Sequence, residues 1–173
     1  VPSPSVIHRA AVADGLDELA ALLTEPHPGS LALVLGDEVS ASGGLDAAVA
    51  LAEALGTPVH GSPLHSTTVF PPLHPLWAGP LPPSATGIRA VLERYERVLL
   101  VGGRAFMVYP YTPGSPLPAS TELLHLSPDA SLIGRAHPVI FGAVGDPRAS
   151  MQALLPRVAK RVDREAIAAQ LAK

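Results

Sequence analysis

RVLLVGGRAFMVYPYTPG, residues 97–114, decides the fold. Val98, Leu99, Leu100 and Val101 are four consecutive apolar residues with β-branched ends and no polar alternation. That pattern belongs to a strand covered on both faces, as in the middle of a parallel sheet. The run stops at Gly102-Gly103, where the backbone is free to turn sharply. Beyond it lie Arg104, Phe106, Met107, Tyr109 and Tyr111, interleaved with Pro110, Pro113 and Pro116. Ligands of open α/β sheets bind outside the carboxyl ends of the strands. A buried strand that feeds an aromatic, proline-stiffened loop is therefore the first place to look for function.

Outward from this stretch, other apolar runs alternate with helical patterns. Towards the amino end, a helix with Asp14 as its cap carries Leu16, Leu19, Leu22 and Leu23 at helical spacing. Residues 31–35, LALVL, form a second buried strand. A helix follows with Leu45, Ala48, Val49, Ala52 and Leu55 on one stripe, capped by Gly56 and stopped by Pro58, and Val59 starts the next strand. A third helix begins after Pro82-Pro83-Ser84, with Ile88, Val91, Leu92 and Tyr95 on its inner face. Residues 122–127, ELLHLS, and 139–144, VIFGAV, read as further strands. Asp146-Pro147 opens the last main helix as cap and first position. Pro156 should kink or interrupt it, and residues 163–173 read as an exposed helical tail or linker. The pattern predicts a Rossmann-like three-layer α/β/α sandwich, with a mainly parallel sheet of five or six strands, in one domain over residues 1–162.

Composition narrows the function. The chain has 173 residues, 47% of them hydrophobic, enough for one substantial core. The net charge of −3 comes without any basic run, which argues against nucleic acid or an anionic membrane as partner. No cysteine is present, no apolar run reaches the ~20 residues of a membrane span, and no signal peptide is seen, so the expected setting is cytoplasmic. The start at Val1 suggests an excised or processed piece.

Several catalytic signatures are missing. No G-x-G-x-x-G follows a strand, no Walker sequence occurs, and the only lysines are Lys160 and Lys173. No G-x-S-x-G elbow is present. His60, His65 and His74 fall in one region, but their spacing matches no zinc ligand pair, so they are read as solvent-exposed or loop-packing residues with no metal. Asp37-Glu38 is read as holding a turn or capping a helix rather than as an acid/base pair. Gly102-Gly103-Arg104 either receives a phosphate or an adenine nucleotide through its amides and guanidinium or simply lets the chain leave the sheet. Tyr109 and Tyr111 are either loop packing or site residues, and the flanking prolines pre-set their orientation. Phe70, Leu76 and Trp77 either cap the core or form a surface for a partner.

Three ordered segments carry a resemblance. Residues 51–59, LAEALGTPV, are similar to L-A-E-x-L-x-x-P-V; residues 70–75, FPPLHP, with Gly79, to F-P-x-x-H-P; and residues 98–114 to V-L-L-V-G-G-x-x-F followed by Y-x-P-G. In this order they resemble the central domain of thiamine-diphosphate-dependent decarboxylases and synthases, most closely the benzoylformate decarboxylase branch. The likeness runs from about Leu31 to Val158. It implies a three-domain parent in which flanking domains bind thiamine diphosphate and magnesium, so that this piece alone is inactive. It also implies a role in assembly, in a homo-oligomer. Some relatives bind FAD or an adenine nucleotide here, which is the alternative function. In the benzoylformate decarboxylase branch the loop after the central strand lends a histidine to the active site, and Tyr109 takes that position here. A phenol, with a solution pKa of about 10, is a poor proton shuttle at neutral pH beside an imidazole. Tyr109 is thus the one candidate catalytic residue, and no residue is assigned to a cofactor. The sequence gives no internal G-D-G site either, since Gly145-Asp146 runs into Pro147.

Overall fold

The computed structural model describes residues 11–25 and 30–162. The expected tail at 163–173 lies outside the described residues. Six strands form one sheet, and every pairing in it is parallel. They are β1 (Ser30–Leu35), β2 (Val59–Gly61), β3 (Trp77–Pro80), β4 (Tyr95–Val101), β5 (Glu122–Ser127) and β6 (Phe141–Val144). The helices are α1 (Leu16–Thr24), α2 (Asp37–Ala41), α3 (Leu45–Leu55), α4 (Ala85–Leu92) and α5 (Pro147–Ala159). Spatial order is β3-β2-β1-β4-β5-β6, so chain direction across the sheet reverses between β1 and β4.

The continuous apolar runs are strands because both faces are covered. Leu33, Leu35, Leu99, Val101, Leu124 and Leu126 join residues of α1, α3 and α5 in one core. Ala32, Val34, Val98, Leu100 and Leu123 join Ile88 and Leu92 of α4 in the other. That second core also takes Ala105, Phe106 and Leu117 from the connection after β4. This connection contains no helix, so its own side chains complete the layer beside α4. Arg97, only 5% exposed, closes the amino end of β4 by donating to Glu122 (2.5 and 2.9 Å) and to the Leu22 carbonyl.

Several expectations need correction. Asp14 does not cap α1: the N-cap is Gly15 in the left-handed region (φ 72°), without a side-chain cap. The Phe141 ring sits 3.1 Å from where a Cβ on Gly15 would stand, so packing rather than capping sets this helix start. Tyr95 continues the helical spacing of α4, yet it begins β4, where it pairs with Ser30. Strand pairing outweighs the local pattern there. α5 runs through Pro156, with Leu154 and Val158 buried on either side of it. The short helix α2 and the edge strand β3 were not foreseen. Trp77 belongs to β3 and stacks on Phe70 (6.0 Å between centroids), and Phe70 is only 2% exposed, so the pair serves the domain's own core. Asp146 and Gly56 behave as expected. The Asp146 carboxylate accepts from the Ala149 N–H at 2.8 Å, and Gly56 ends α3 with φ 60°.

Candidate functional site

The connection from β4 to β5 leaves the sheet through an unusual turn. Gly102 and Gly103 are left-handed (φ 69° and 77°), and so are Ala105 and Phe106 (φ 40° and 65°). For the two residues with a Cβ this conformation costs on the order of 1–3 kcal/mol each, so it needs compensation. Burial of the Phe106 ring (4% exposed) supplies part of it, and the ring rests 5.8 Å from the His137 ring. A cleft of about 970 Å³ opens on one side of this turn, bordered by Arg104, Phe106, Val108, Asp129, Arg135 and His137. A smaller cavity of about 320 Å³ lies on the other, bordered by Asp37, Glu38, Ser62, His65, Arg104 and Met107. A third cleft of about 870 Å³, against Arg89, Glu93 and Ile140, touches none of residues 104–111.

Past Phe106 the chain is pinned along the start of α4. The Tyr109 N–H donates to the Pro83 carbonyl (2.8 Å), the Ala85 N–H donates to Thr112 Oγ1 (2.9 Å), and the Arg89 guanidinium donates to the Ser115 carbonyl (2.9 Å). The Tyr109–Pro110 bond is cis. On this fixed backbone the side chains of Tyr109 and Tyr111 are 71% and 85% exposed. Neither ring packs into the domain. Two phenols are therefore displayed at the carboxyl side of the sheet, from a loop whose base is buried and bonded.

At the crevice between β1 and β4, where an open sheet of this order receives its ligand, the protein's own carboxylate engages the β4 turn. Glu38 Oε2 accepts from the Gly103 N–H at 2.6 Å. That is the amide the nucleotide reading assigned to a phosphate, and a carboxylate already occupies it. Asp37 holds the other wall by accepting from Ser66 N–H and from the N–H and hydroxyl of Thr67 (2.6–3.0 Å). Burial raises its pKa, but the bonds from Thr67 and Ser66 outweigh that and leave its carboxyl below the usual range. Reading Asp37-Glu38 as turn-holding residues was thus correct in kind, although the turn that Glu38 holds lies 65 residues away.

The three histidines of residues 60–74 do not converge. His60 is bonded to the Gly79 carbonyl (3.1 Å) and Tyr95 hydroxyl (2.9 Å), His65 to the Ser62 carbonyl (2.8 Å), and His74 to Glu53 (3.3 Å). A fourth, His125, was missed. It is fully buried on β5, and neither ring nitrogen makes a well-formed hydrogen bond, although the Gly102 backbone is close enough to act on the ring. Burial pushes its pKa below the ordinary 6.5, while the Gly102 backbone and the Glu38 charge pull the other way. Its only signal in the sequence was a lone histidine inside an apolar strand.

A family model described as the central domain of thiamine pyrophosphate enzymes matches residues 16–154. The chain belongs to that family. The central domain is 36% identical to benzoylformate decarboxylase of Pseudomonas aeruginosa over 126 residues, which cover 73% of this chain and 24% of that protein. It is 30% identical to sulfoacetaldehyde acetyltransferase of Castellaniella defragrans over 164 residues, 91% of this chain and 27% of that one. Among solved structures, the thiamine diphosphate-dependent 4-hydroxybenzoylformate decarboxylase of Rhodococcus jostii superposes with a TM-score of 0.81 at 31% identity. That match covers 94% of this chain and 30% of the other. The chain thus spans about a quarter of the length of the curated relatives it matches.

Thiamine diphosphate is the cofactor this family implies, but the donor set on this central domain does not suit it. Asp146 of the Gly145-Asp146 pair spends its carboxylate on the cap of α5, and a Cβ on Gly145 would stand 2.6 Å from the Ala13 nitrogen. Among the described residues no three of His, Asp and Glu come together as a metal site.

Proposed function

We propose that this chain, as one domain over residues 1–162 with 163–173 leading onward, serves a larger thiamine-diphosphate-dependent 2-keto acid decarboxylase or carboligase of the benzoylformate decarboxylase kind. In this reading neighbouring domains bind thiamine diphosphate and magnesium, and the parent is a cytoplasmic homo-oligomer. The central domain contributes to assembly and lends one loop to the active site, and it has no activity alone. What supports the loop assignment is the exposure of Tyr109, 71%, on a backbone fixed by Pro83 and by the contacts of Thr112 and Ser115. Its hydroxyl orients substrate by hydrogen bonding, and any proton shuttle is left to another group.

The test is Tyr109→Phe in the full-length polypeptide, assayed with a series of 2-keto acids. Loss of one hydrogen bond to substrate, about 0.5–1.5 kcal/mol, lowers kcat/KM roughly two- to tenfold. Unchanged turnover and product distribution would remove Tyr109 from the site.

A further inference from the structure

The reversal of chain direction between β1 and β4 leaves a crevice at their carboxyl ends, and in this domain the β4 side of it is occupied by the protein's own Glu38. A Cβ on Gly36 would stand 2.4 Å from the Gly103 nitrogen, so the two backbones touch. A Cβ on Gly102 would stand 2.7 Å from Glu38 Oε2. The Glu38 carboxylate lies against this turn and accepts from the Gly103 N–H at 2.6 Å, a charge-assisted bond that is shorter and stronger than a neutral one. His125 of β5, wholly buried and without a well-formed hydrogen bond, lies near the same turn, where the Gly102 backbone and the Glu38 charge both act on it. A buried imidazole without a well-formed hydrogen bond is unusual enough to require a reason, and the strained residues Ala105 and Phe106 follow one residue after the turn.

We propose that Glu38 is the positioning residue of the Tyr109 loop: its carboxylate takes the anion position of the switch-point crevice and holds the Gly102–Gly103 turn from which the loop departs. A strained turn persists only where its surroundings over-determine it. Glu38 supplies that constraint from α2, a different element from the one that carries the loop. The Gly103 amide is therefore not free for a phosphate; the domain uses it to order a loop. The consequence for catalysis rests on the reading of Tyr109 given above. The ordering of the loop does not, and the two fail separately.

The experiment is nuclear magnetic resonance on the 173-residue chain, comparing wild type, Glu38→Ala and Glu38→Gln. In the wild type the Gly103 amide proton resonates far downfield, and residues 104–114 give heteronuclear NOE values like those of β4. Glu38→Ala abolishes the downfield shift and lowers the NOE values of 104–114 while those of 62–76 hold. Glu38→Gln, an uncharged acceptor of the same length, keeps the loop ordered with a reduced shift. Inorganic phosphate added to Glu38→Ala moves the Gly103 resonance, and added to wild type it does not. The proposal is overturned if Glu38→Ala leaves Gly103 and the loop unchanged, if both loops lose order alike, or if phosphate perturbs Gly103 in the wild type. Should Glu38→Ala not fold, an unaltered Gly103 shift in Glu38→Gln overturns it. Loop order lost in Glu38→Ala beside full activity of Tyr109→Phe would retain the positioning claim and discard the catalytic one.

Discussion

Two parallel crossovers in this sheet have no helical turn at all, whereas that from β5 to β6 has a 3-10 turn at Ala130–Leu132, and the two without one use their aromatic residues in opposite ways. The connection from β2 to β3, residues 62–76, turns Phe70 into the core beside α1, α3 and α5, with His74 and Trp77 ringed around it. The connection from β4 to β5, residues 102–121, buries Phe106 in the other core but leaves Tyr109 and Tyr111 facing outward. Both are rich in proline, so stiffness alone does not separate them. The difference lies in the backbone after the buried ring. Residues 71–77 turn back by local bonds, His74 N–H to the Pro71 carbonyl and Trp77 N–H to the His74 carbonyl. Residues 109–115 are instead spread along α4 by bonds to another element. Held this way, a loop keeps its side chains free for something outside the domain.

The largest effects should come from the two buried rings. Phe70→Ala and Phe106→Ala each remove a nearly inaccessible phenyl group, and each should cost about 3–5 kcal/mol in urea unfolding. Glycine sharpens the contrast. At Phe70, whose φ is not positive, Gly should be worse than Ala by roughly 0.5–1 kcal/mol. At Phe106, with φ 65°, Gly should be better than Ala by about 1–2 kcal/mol, because it adopts the left-handed region freely. If the order at Phe106 matches that at Phe70, the turn after β4 is not strained and the distinction between the loops weakens.

How much of this was readable in the sequence follows from the range of each interaction. β1, β4 and β5 were legible because a strand buried on both faces carries an unbroken apolar run, and that condition is local. α5 was legible from Asp146-Pro147, a cap and its neighbour. β3 was not: Trp77–Pro80 alternates between half-buried and exposed, and contains Gly79 and Pro80, as an edge strand can. Tyr95 was misplaced because it stands three residues beyond Leu92 and so continues the spacing of α4; pairing with β1 decides otherwise. The candidate loop was found from its composition, and the outward orientation of its tyrosines was one of two readings left open. Glu38 could not be assigned to the loop at all, since its bond to Gly103 spans 65 residues and no local pattern encodes it.

The next contrast is between two buried histidines. His60 on β2 has both nitrogens bonded, to the Gly79 carbonyl and the Tyr95 hydroxyl, whereas His125 on β5 has neither. His60→Leu strands a buried hydroxyl and a carbonyl and should cost about 1–3 kcal/mol at pH 7. His125→Leu breaks no well-formed hydrogen bond and should fall within about 1 kcal/mol of wild type. Both wild-type side chains are pushed below the ordinary pKa of 6.5, in each case first of all by burial. Below pH 6.5 the unfolded chain therefore takes up protons that the folded one refuses. The stability linked to each is complete above that pH and is lost as pH falls, by at most about 1.4 kcal/mol per pH unit for each group. Each variant should flatten the acid limb of a stability–pH curve. A limb unchanged in His125→Leu would mean that this ring does not titrate in the way its burial requires.

The smallest expected effect bears most directly on function. Tyr109→Ala and Tyr111→Ala remove rings that are 71% and 85% exposed, and each should change unfolding free energy by no more than about 0.5 kcal/mol. Against about 3–5 kcal/mol for Phe106, only a few positions away, that near-zero would mean the fold gains nothing from either phenol. A side chain that the fold does not use, on a backbone the fold takes care to fix, is available to whatever faces it. The decisive comparison sets this neutrality beside activity in the full-length polypeptide, where Tyr109→Ala should lower kcat/KM by at least as much as Tyr109→Phe. A stability loss comparable to that of Phe106→Ala would instead mean that the ring packs against its own domain in solution, and the loop would then rank with residues 62–76 as part of the scaffold.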